Sequence, residues 1–375
     1  MSVQMLILIA FISLLILYSL LIFYYWRSWK AIPGYQCKTP QQLSSISVII
    51  PARNEENNIG NLLDAITKQT LTQSLFEVIV IDDHSTDKTA AIAKQYPGVS
   101  VVSLDDSPIN SYKKKAIEKG IEIARGELIV TTDADCIPPP AWLGTIAAFH
   151  AETGAGFIVS PVDIANGRAI VEHFQAIDFM VLQGITAGSV FTHFHAMCNG
   201  ANLAYEKKLF IEVGGFSGID HIASGDDMLL MQKVATKCPG KIRYLKSEEA
   251  IVKTLPAPTW SAFFNQRIRW ASKATVFEGK KIFLVLLLVY AFNLSFLVVF
   301  AAAIFNSSYW PVLIGGLIVK TLVELPFVIS LSAFFRKQSA IIPFILFQPV
   351  HILYIIISGL FGQFGQYEWK GRKVK

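Results

Sequence analysis

Two kinds of hydrophobic pattern occur along this chain. Uncharged or nearly uncharged apolar runs of bilayer length lie at 5–26, 282–305, 309–331 and 340–361. Between about 45 and 275, short apolar runs instead alternate with amphipathic stretches. The pattern predicts membrane segments at both ends of the chain and an α/β domain between them.

The first apolar run has the features of an uncleaved membrane anchor, which we place at 1–30. It has no basic segment before it and no small-residue cleavage site after it, as a signal peptide would. Arg27 and Lys30 follow it directly. Because positive residues favour the cytoplasmic side, we expect the N-terminus outside and the central region in the cytoplasm.

The C-terminal region, 280–363, is expected to hold about three membrane segments, followed by a basic tail at 364–375. Alternating crossings put Arg336 and Lys337 inside, as the positive-inside rule favours, but they put the basic tail outside. The last segment contains three residues that are unusual in a spanning helix: Gln348, Pro349 and His351. A re-entrant last segment would keep the tail inside, and the sequence leaves both topologies open.

Lys320 and Glu324 lie within the second of these C-terminal segments, four residues apart on one helix face. Charges inside a membrane segment are candidates for function. Since no further ionisable residue continues the pair, we expect a structural ion pair, with a functional site as the alternative.

The central region shows the alternation of a doubly wound, Rossmann-like sheet. The predicted strands are 47–51, 76–81, 99–104 and 126–132, and the predicted helices are 56–69, 86–95 and 113–124. Strands that alternate with helices form a mostly parallel sheet. Ligands bind such sheets beyond the carboxyl ends of the strands.

Polar residues follow three of these strands, and after the first strand they are Asn54 and Glu55. Asp133 and Asp135 end the fourth strand, and alternating residues of an extended segment point the same way, so both carboxylates can face one cation. Oxygen ligands suit Mg²⁺ or Mn²⁺ shared with substrate phosphates; a solvated turn is the alternative. Asp83 follows the second strand, where a carboxylate can accept a hydrogen bond from a base or a sugar hydroxyl.

Three further segments carry candidate chemistry. Lys113 begins a helix, where it either belongs to a solvated face or faces a diphosphate. Asp226 and Asp227 precede an apolar run, where an acid is either a helix N-cap or a general base. The sequence Q-R-I-R-W at 266–270 is either an interfacial amphipathic helix or a contact for pyrophosphate and acceptor.

Composition narrows the class of protein. Of 375 residues, 53% are hydrophobic and 16% are charged, which excludes a disordered chain and an ordinary soluble cytosolic enzyme. The formal net charge of +5 suits an anionic membrane surface or a phosphate-bearing substrate, and it is too small to indicate nucleic-acid binding. The four cysteines show no zinc-site spacing.

Seven motifs in order, from 47 to 270, resemble the family 2 glycosyltransferases of GT-A fold. One is the lysine-bearing helix, and the others are S-V-I-I-P-A-R-N-E-E, V-I-V-I-D-D-H-S-T-D-K-T, G-E-L-I-V-T-T-D-A-D, N-G-A-N-L-A-Y with V-G-G-F, G-D-D-M-L-L and Q-R-I-R-W. Membrane-attached members, such as cellulose-synthase-like and ceramide or carotenoid glycosyltransferases, similarly carry Q-x-x-R-W before membrane helices. The resemblance implies a GT-A domain at 45–275, flanked by transmembrane helices.

The resemblance also implies residue roles. Donor or nucleotide binding falls to Pro51, Asn54, Glu55, Asp83, Lys113 and Asp133. Asp135 would coordinate Mg²⁺ or Mn²⁺ on the diphosphate, while acceptor and diphosphate contacts fall to Gln266, Arg269 and Trp270. Asp227 matches the catalytic base. The family usually has Glu-Asp where this chain has Asp226-Asp227, so Asp226 is the alternative base.

The function that the resemblance implies is inverting transfer of a sugar, typically UDP-linked, to a lipid or other membrane-associated acceptor. This hexosyltransferase of the cell envelope would be a multi-pass cell-membrane protein whose catalytic domain faces the cytoplasm, with no nucleic-acid partner. A processive polysaccharide synthase and a catalytically silent nucleotide-sugar-binding scaffold are the alternatives. Because about four membrane segments are few for a polymer conduit, we favour the lipid acceptor.

Overall fold

The computed structural model describes residues 2–37, 43–105, 111–165, 167–220, 222, 225–272, 280–364, 367–369 and 372–374. The strands, in chain order, are β1 (Ile46–Ala52), β2 (Phe76–Asp82), β3 (Val99–Ser103), β4 (Leu128–Thr131), β5 (Phe157–Val159), β6 (Val162–Ile164), β7 (Leu203–Glu206), β8 (Ile242–Tyr244), β9 (Val252–Thr254), β10 (Tyr367–Trp369) and β11 (Arg372–Val374). The helices are α1 (Val3–Ala31), α2 (Ile59–Thr67), α3 (Thr89–Ala93), α4 (Tyr112–Ile123), α5 (Trp142–Thr153), α6 (Ile170–Phe191), α7 (Lys207–Glu212), α8 (Met228–Lys237), α9 (Trp260–Ala271), α10 (Lys280–Phe305), α11 (Trp310–Phe334), α12 (Ile341–Leu346) and α13 (Gln348–Phe364).

Contacts between residues divide the chain into two compact units. The α/β unit comprises Ile32–Ala165, Val190–Leu255 and Glu368–Lys375. The helical unit comprises Met1–Ala31, Asn166–Ser189 and Pro256–Tyr367. Two stretches inside the predicted domain range of 45–275, those carrying α6 and α9, therefore group with the apolar helices.

The α/β unit is built on a seven-stranded sheet of order β3-β2-β1-β4-β7-β5-β8. Strands β3, β2, β1 and β4 run parallel, as the alternation of strands and helices predicts. Strand β7 differs, because it lies antiparallel between β4 and β5. The sheet is thus mixed, with its predicted parallel part on one side of β7.

The parallel strands form because their apolar residues fill the core on both faces of the sheet. Val48, Ile49 and Ile50 of β1 are fully buried, as continuous apolar strands of parallel sheets usually are. Helix α4 lies close against β1, and a Cβ atom at Gly120 would stand only 2.6 Å from Ile49 Cγ2. Glycine at this position therefore lets α4 pack closely against the sheet. This close packing positions the first residues of α4 relative to β1.

The helical unit contains most of the long apolar helices. Helices α1, α6 and α10, together with Ser307–Phe334, are long and apolar enough to span a membrane. Helix α6 was not among the predicted membrane segments, and most of it is buried inside the protein. The predicted last segment is two helices, Gln338–Leu346 and Gln348–Gly362, bent by 73° at the break, which is the geometry of a broken span or a re-entrant loop.

Helix α1 packs through aromatic side chains on partners far along the chain. The Tyr18 and Phe292 rings are stacked with centroids 4.3 Å apart, and the Trp29 and Phe334 rings meet edge to face at 5.1 Å. Each of these pairs contributes about 0.5–1.5 kcal/mol beyond the burial of its surface. The first helix is thus an integral part of the helical unit.

A buried polar quartet lies among these helices. Lys320 Nζ is 2.7 Å from Glu324 Oε1, so the predicted ion pair is confirmed. The Tyr18 hydroxyl donates to Glu324, and the Gln348 amide donates to Glu324 Oε2 at 2.7 Å. Lys320 also donates to Gln348 Oε1. The quartet joins α1, α11 and the first residue of α13, where the bent pair breaks.

Candidate active site

The carboxyl ends of β1, β2 and β4 meet at one edge of the sheet, because these strands are parallel neighbours. Asp133 and Asp135 follow β4, as predicted. Asp133 is partly exposed and ion-paired. Asp135 Oδ2 accepts a hydrogen bond of 3.4 Å from Thr254 Oγ1 at the end of β9. The two carboxylates therefore have different surroundings within one short segment.

Lys113 links the acids of two separate segments. Its Nζ atom lies 2.7 Å from Asp133 Oδ1 and 3.3 Å from Asp226 Oδ2. Burial alone would lower the pKa of Lys113, but the negative charges of Asp133 and Asp226 outweigh it and raise that pKa above its ordinary value. The first turn of α4 thereby places a fixed ammonium group at the end of β4.

Asp227 is held by two backbone amides. It is the N-cap of α8, and its Oδ1 atom accepts a hydrogen bond of 2.7 Å from the Met228 amide. Its Oδ2 atom accepts one of 3.0 Å from the Gly200 amide. The N-cap interpretation of Asp227 is thus confirmed, and the same carboxylate lies beside the cluster of Lys113 and Asp226.

The segments after β1 and β2 are bound to each other. Asn54 and His84 both have positive φ values, 51° and 54°. Asn54 Oδ1 accepts a hydrogen bond of 2.9 Å from the Thr86 amide, and the Asn54 amide donates to Ser85 Oγ at 3.0 Å. Non-glycine residues adopt such left-handed conformations mainly at turns and functional sites. These contacts fix the loop that carries the predicted residues Asn54 and Glu55, while the predicted residue Pro51 lies in β1, where it is paired with Ile81 of β2.

Glu55 and Asp83 are both held by contacts within these two segments. Glu55 Oε2 accepts a hydrogen bond of 2.7 Å from Asn58 Nδ2. Asp83 is 4% exposed, and its Oδ1 atom lies 3.0 Å from His84 Nδ1. Arg53 Nη1 donates to the Asp83 carbonyl at 2.7 Å and lies 3.8 Å from its carboxylate. Arg53 was not among the predicted site residues, although its position between β1 and Asn54 in the sequence signals it.

The acidic residues fit a divalent cation only if a substrate supplies the other ligands. In the described part of the chain, no group of three or more His, Cys, Asp or Glu side chains is placed to hold a metal ion. Mg²⁺ usually takes one or two protein carboxylates and completes its shell with water and substrate phosphates. Asp133 and Asp135 are therefore a suitable protein share of such a site.

The remaining predicted residues lie on α9 in the helical unit. Gln266, Arg269 and Trp270 are spaced at i, i+3 and i+4, so they share one face of this helix. The guanidinium of Arg267, a residue outside the predicted set, lies 4.2 Å from the centroid of the Trp270 ring. The sequence does not indicate that Arg267 is the buried arginine, because Arg269, two residues later, has the same side chain.

Comparisons with known proteins give a family match for part of the α/β unit. Residues 47–214 match the model of the family described as Glycosyl transferase family 2. Glycosyltransferase AglE of Haloferax volcanii is 30% identical over 193 residues, covering 50% of this chain and 60% of AglE. A 4,4'-diaponeurosporenoate glycosyltransferase of Staphylococcus aureus is 42% identical over 92 residues, 24% of each chain.

A solved structure extends the likeness beyond the matched segment. The mannosyltransferase PcManGT from Pyrobaculum calidifontis, in complex with GDP-Man and Mn²⁺, superposes with a TM-score of 0.59 and 21% identity. The superposition covers 92% of this chain and 98% of that one, and it shows a common fold. Residues 47–214 therefore resemble glycosyl transferase family 2, and the chain has the GT-A fold.

Proposed function

We propose that this protein is a membrane-bound, inverting glycosyltransferase that moves a sugar from a nucleotide-sugar donor to a lipid acceptor. The observation that carries the proposal is the cluster in which Lys113 bridges Asp133 and Asp226 beside Asp227. Four residues with implied roles in one reaction, drawn from three distant segments, meet at the ligand-binding edge of the sheet.

Donor binding is assigned to two groups of residues in the α/β unit. One is the ion-paired group around Lys113, and the other is formed by the segments after β1 and β2. Asp83 and Glu55 are anchored acids that can accept hydrogen bonds from a base or a ribose. Pro51, near the end of β1, and Asn54, in the loop that follows, complete this donor-binding set. Lys113 can hold the diphosphate near Asp133. Asp135, with Asp133, would hold Mg²⁺ or Mn²⁺, which supplies positive charge to the leaving diphosphate when bound.

Asp227 is the better placed of the two candidate bases. Asp226 is 10% exposed and is ion-paired with Lys113, and a carboxylate stabilised by a cation is a weaker proton acceptor. The hydrogen bonds to Asp227 come from backbone amides, which fix its orientation. In the proposed mechanism Asp227 takes the proton of an acceptor hydroxyl, which attacks the anomeric carbon opposite the nucleotide.

Two observations support a lipid acceptor. The Q-R-I-R-W segment lies on α9, in the unit that contains the long apolar helices. The name of the Staphylococcus aureus relative gives 4,4'-diaponeurosporenoate, a carotenoid acid, as what it glycosylates. For the donor, UDP-sugars come first from the family resemblance, and GDP-sugars come second because PcManGT binds GDP-Man.

The first test is release of nucleoside diphosphate by the purified full chain in detergent. We expect release that requires Mg²⁺ or Mn²⁺ and rises when membrane lipids are added, with one sugar per lipid in the product. A ladder of products would favour the processive synthase. Nucleotide-sugar binding without release from any UDP- or GDP-sugar would overturn the proposal in favour of a silent scaffold.

The second test is the variant Asp227→Asn, which keeps the shape of the side chain but removes the base. We expect turnover to fall by roughly 10²–10⁴-fold with donor binding retained, which is the usual contribution of a general base. Asp64→Asn is the matched control, because Asp64 is an exposed acid of α2 that hydrogen-bonds Tyr96. An unchanged rate in Asp227→Asn would remove Asp227 from the role of base.

The proposed membrane topology has the N-terminus outside, the α/β unit in the cytoplasm and a re-entrant α12–α13 pair that leaves the tail inside. The turn at Ser308 would then lie outside, and Gln338 inside. We expect a membrane-impermeant maleimide to label Ser308→Cys but neither Gln338→Cys nor Lys375→Cys in intact cells, in a background without the native cysteines. Labelling of Lys375→Cys would indicate a complete last crossing.

A further inference from the structure

A buried ion pair joins α6 to α9. Arg267 Nη2 lies 2.8 Å from Asp178 Oδ2, and their side chains are 2% and 5% exposed. A charge that is removed from water requires a close partner of opposite sign. Loss of either residue would leave the charge of the other buried and uncompensated. Asp178 therefore fixes the position of the Arg267 guanidinium.

The Arg267 guanidinium lies against aromatic rings of its own helix. Its Cζ atom is 4.2 Å from the centroid of the Trp270 ring and 5.0 Å from that of Phe263. A planar cation stacks well on an indole face. Phe179, the residue after Asp178, also reaches Trp270, with ring centroids 6.2 Å apart. Consecutive residues of α6 thus hold Trp270, one through Arg267 and the other directly.

The Asp178 carboxylate also has a neighbour on α13. His351 Nε2 lies 3.8 Å from Asp178 Oδ1, and the Tyr354 ring, three residues further along α13, lies with its centroid 5.2 Å from that of Phe263. Phe174, Phe263 and Tyr354 form the aromatic core around these groups. Helices α6, α9 and α13 therefore converge on Asp178, which makes the orientation of Trp270 depend on one buried charge.

We propose that Asp178 is a positioning residue for the acceptor: through Arg267 it holds the Trp270 indole in the orientation that acceptor transfer needs. This inference rests on the proposed function, in which Trp270 meets the acceptor. Asp178 acts on acceptor transfer and has no part in donor chemistry, because its charged neighbours Arg267 and His351 belong to α9 and α13 of the helical unit. Loss of Asp178 therefore separates transfer to acceptor from donor hydrolysis.

The test uses the full chain in lipid nanodiscs with the variant Asp178→Asn. We expect kcat/KM for the acceptor to fall by about 10²-fold, as misplacement by about 1 Å can cause, while metal-dependent donor hydrolysis and donor KM stay close to wild type. Arg267→Lys should show the same selective defect, since lysine keeps the charge but lacks the planar group that stacks on Trp270. Equal losses of transfer and hydrolysis in these variants would overturn the proposal.

Glu324→Gln is the matched control, because Glu324 is also a buried acid paired with a cation in the helical unit. It should lower stability without the selective acceptor defect. A comparable acceptor defect in Glu324→Gln would reduce Asp178 to a general structural role and overturn the proposal.

A spectroscopic measurement tests the positioning without activity. The fluorescence of Trp270 is taken as the difference between each protein and its Trp270→Phe derivative. We expect acrylamide to quench it more strongly in Asp178→Asn than in wild type or Glu324→Gln, and equal quenching in all three would overturn the proposal. If the wild type releases no nucleotide from any donor, the proposed function fails, while this measurement still decides whether Asp178 positions Trp270.

Discussion

The backbone amide of Gly200 donates a hydrogen bond of 3.0 Å to Asp227, and this contact joins the segment before β7 to the start of α8. Gly200 also lies beside the acids and the lysine of the candidate site. A Cβ atom at this position would stand 3.1 Å from Asp226 Oδ2 and 3.3 Å from Lys113 Nζ. The glycine therefore provides both a hydrogen bond and the space in which the ion pair of Lys113 and Asp226 forms.

We expect Gly200→Ala to impair turnover while the protein still folds. The added methyl group crowds flexible side-chain ends, so Lys113 and Asp226 must shift by a few tenths of an ångström. We expect a loss of about tenfold in kcat, because small displacements of reacting groups are costly. Gly144→Ala is the control, since its nearest neighbour would be 4.0 Å away. Turnover equal to that of the control would contradict the crowding.

We expect Lys113→Gln to make stability depend more strongly on a divalent cation. Without the ammonium group, Asp133 and Asp226 lose their common partner, which costs about 1–3 kcal/mol for charged hydrogen bonds. Added Mn²⁺ can replace the lost positive charge. Thermal unfolding midpoints with and without Mn²⁺ measure this, and Lys113→Arg serves as the charge-conserving control. A gain from Mn²⁺ no larger than in wild type would argue against a cation position between these acids.

Glu77 is expected to give the α/β unit part of its resistance to acid. Burial alone would raise the pKa of Glu77, but hydrogen bonds from Ser47 and Arg125 and the charge of Arg125 lower it below the ordinary 4.5. A carboxylate with a lowered folded-state pKa contributes stability above pH 4.5 and loses it as the pH falls through the folded-state value.

The corresponding variant is Glu77→Gln. We expect it to be less stable than wild type by about 1–2 kcal/mol at pH 7, since charged hydrogen bonds become neutral ones. The difference should shrink as the pH falls from about 5 to about 3. Urea unfolding followed across this range measures it, with Glu118→Gln, at an exposed surface pair, as the control. A difference independent of pH would contradict the assignment.

The buried quartet predicts a non-additive pair of variants. Lys320→Met leaves Glu324 without its cation, which costs about 3–5 kcal/mol for a buried pair. The double variant Lys320→Met/Glu324→Leu removes both charges and should be more stable than the single variant. Thermal unfolding in one detergent compares them. A double variant that is less stable than Lys320→Met would show that the quartet stabilises the unit beyond the compensation of charge.

The sequence was sufficient to predict the parallel part of the sheet and the acids at its edge. Each of β1, β2 and β4 contains a short continuous apolar run, at 48–52, 78–81 and 128–130, and the polar residues that follow each run can be read directly from the sequence. The parallel pairing of β3, β2, β1 and β4 confirms this part of the prediction. The roles of the individual site residues remain predictions.

Other features depend on contacts between distant segments, which local patterns do not encode. Strand β7 has four residues and no feature that distinguishes an antiparallel from a parallel neighbour. Helix α6 contains Glu172 and Asp178, so its composition resembles that of a helix in a soluble domain until Arg267 is seen to neutralise Asp178. Whether a charge can be buried depends on its partner, and the partner of Asp178 lies 89 positions further along the chain.

The packing of α1 on α10 and α11 has a consequence for the order of synthesis. The ribosome makes α1 before α10 and α11, and Phe292 and Phe334, on which Tyr18 and Trp29 pack, belong to these helices, which begin roughly 250–280 residues after α1 ends. At about 5–20 residues per second, α1 waits on the order of 10–50 s before its partners leave the ribosome. In the proposed membrane protein, Tyr18 needs another hydrogen-bond acceptor during that interval, because Glu324 has not yet been made. Biogenesis of such a protein includes a stage at which α1 is inserted but not yet packed against α10 and α11.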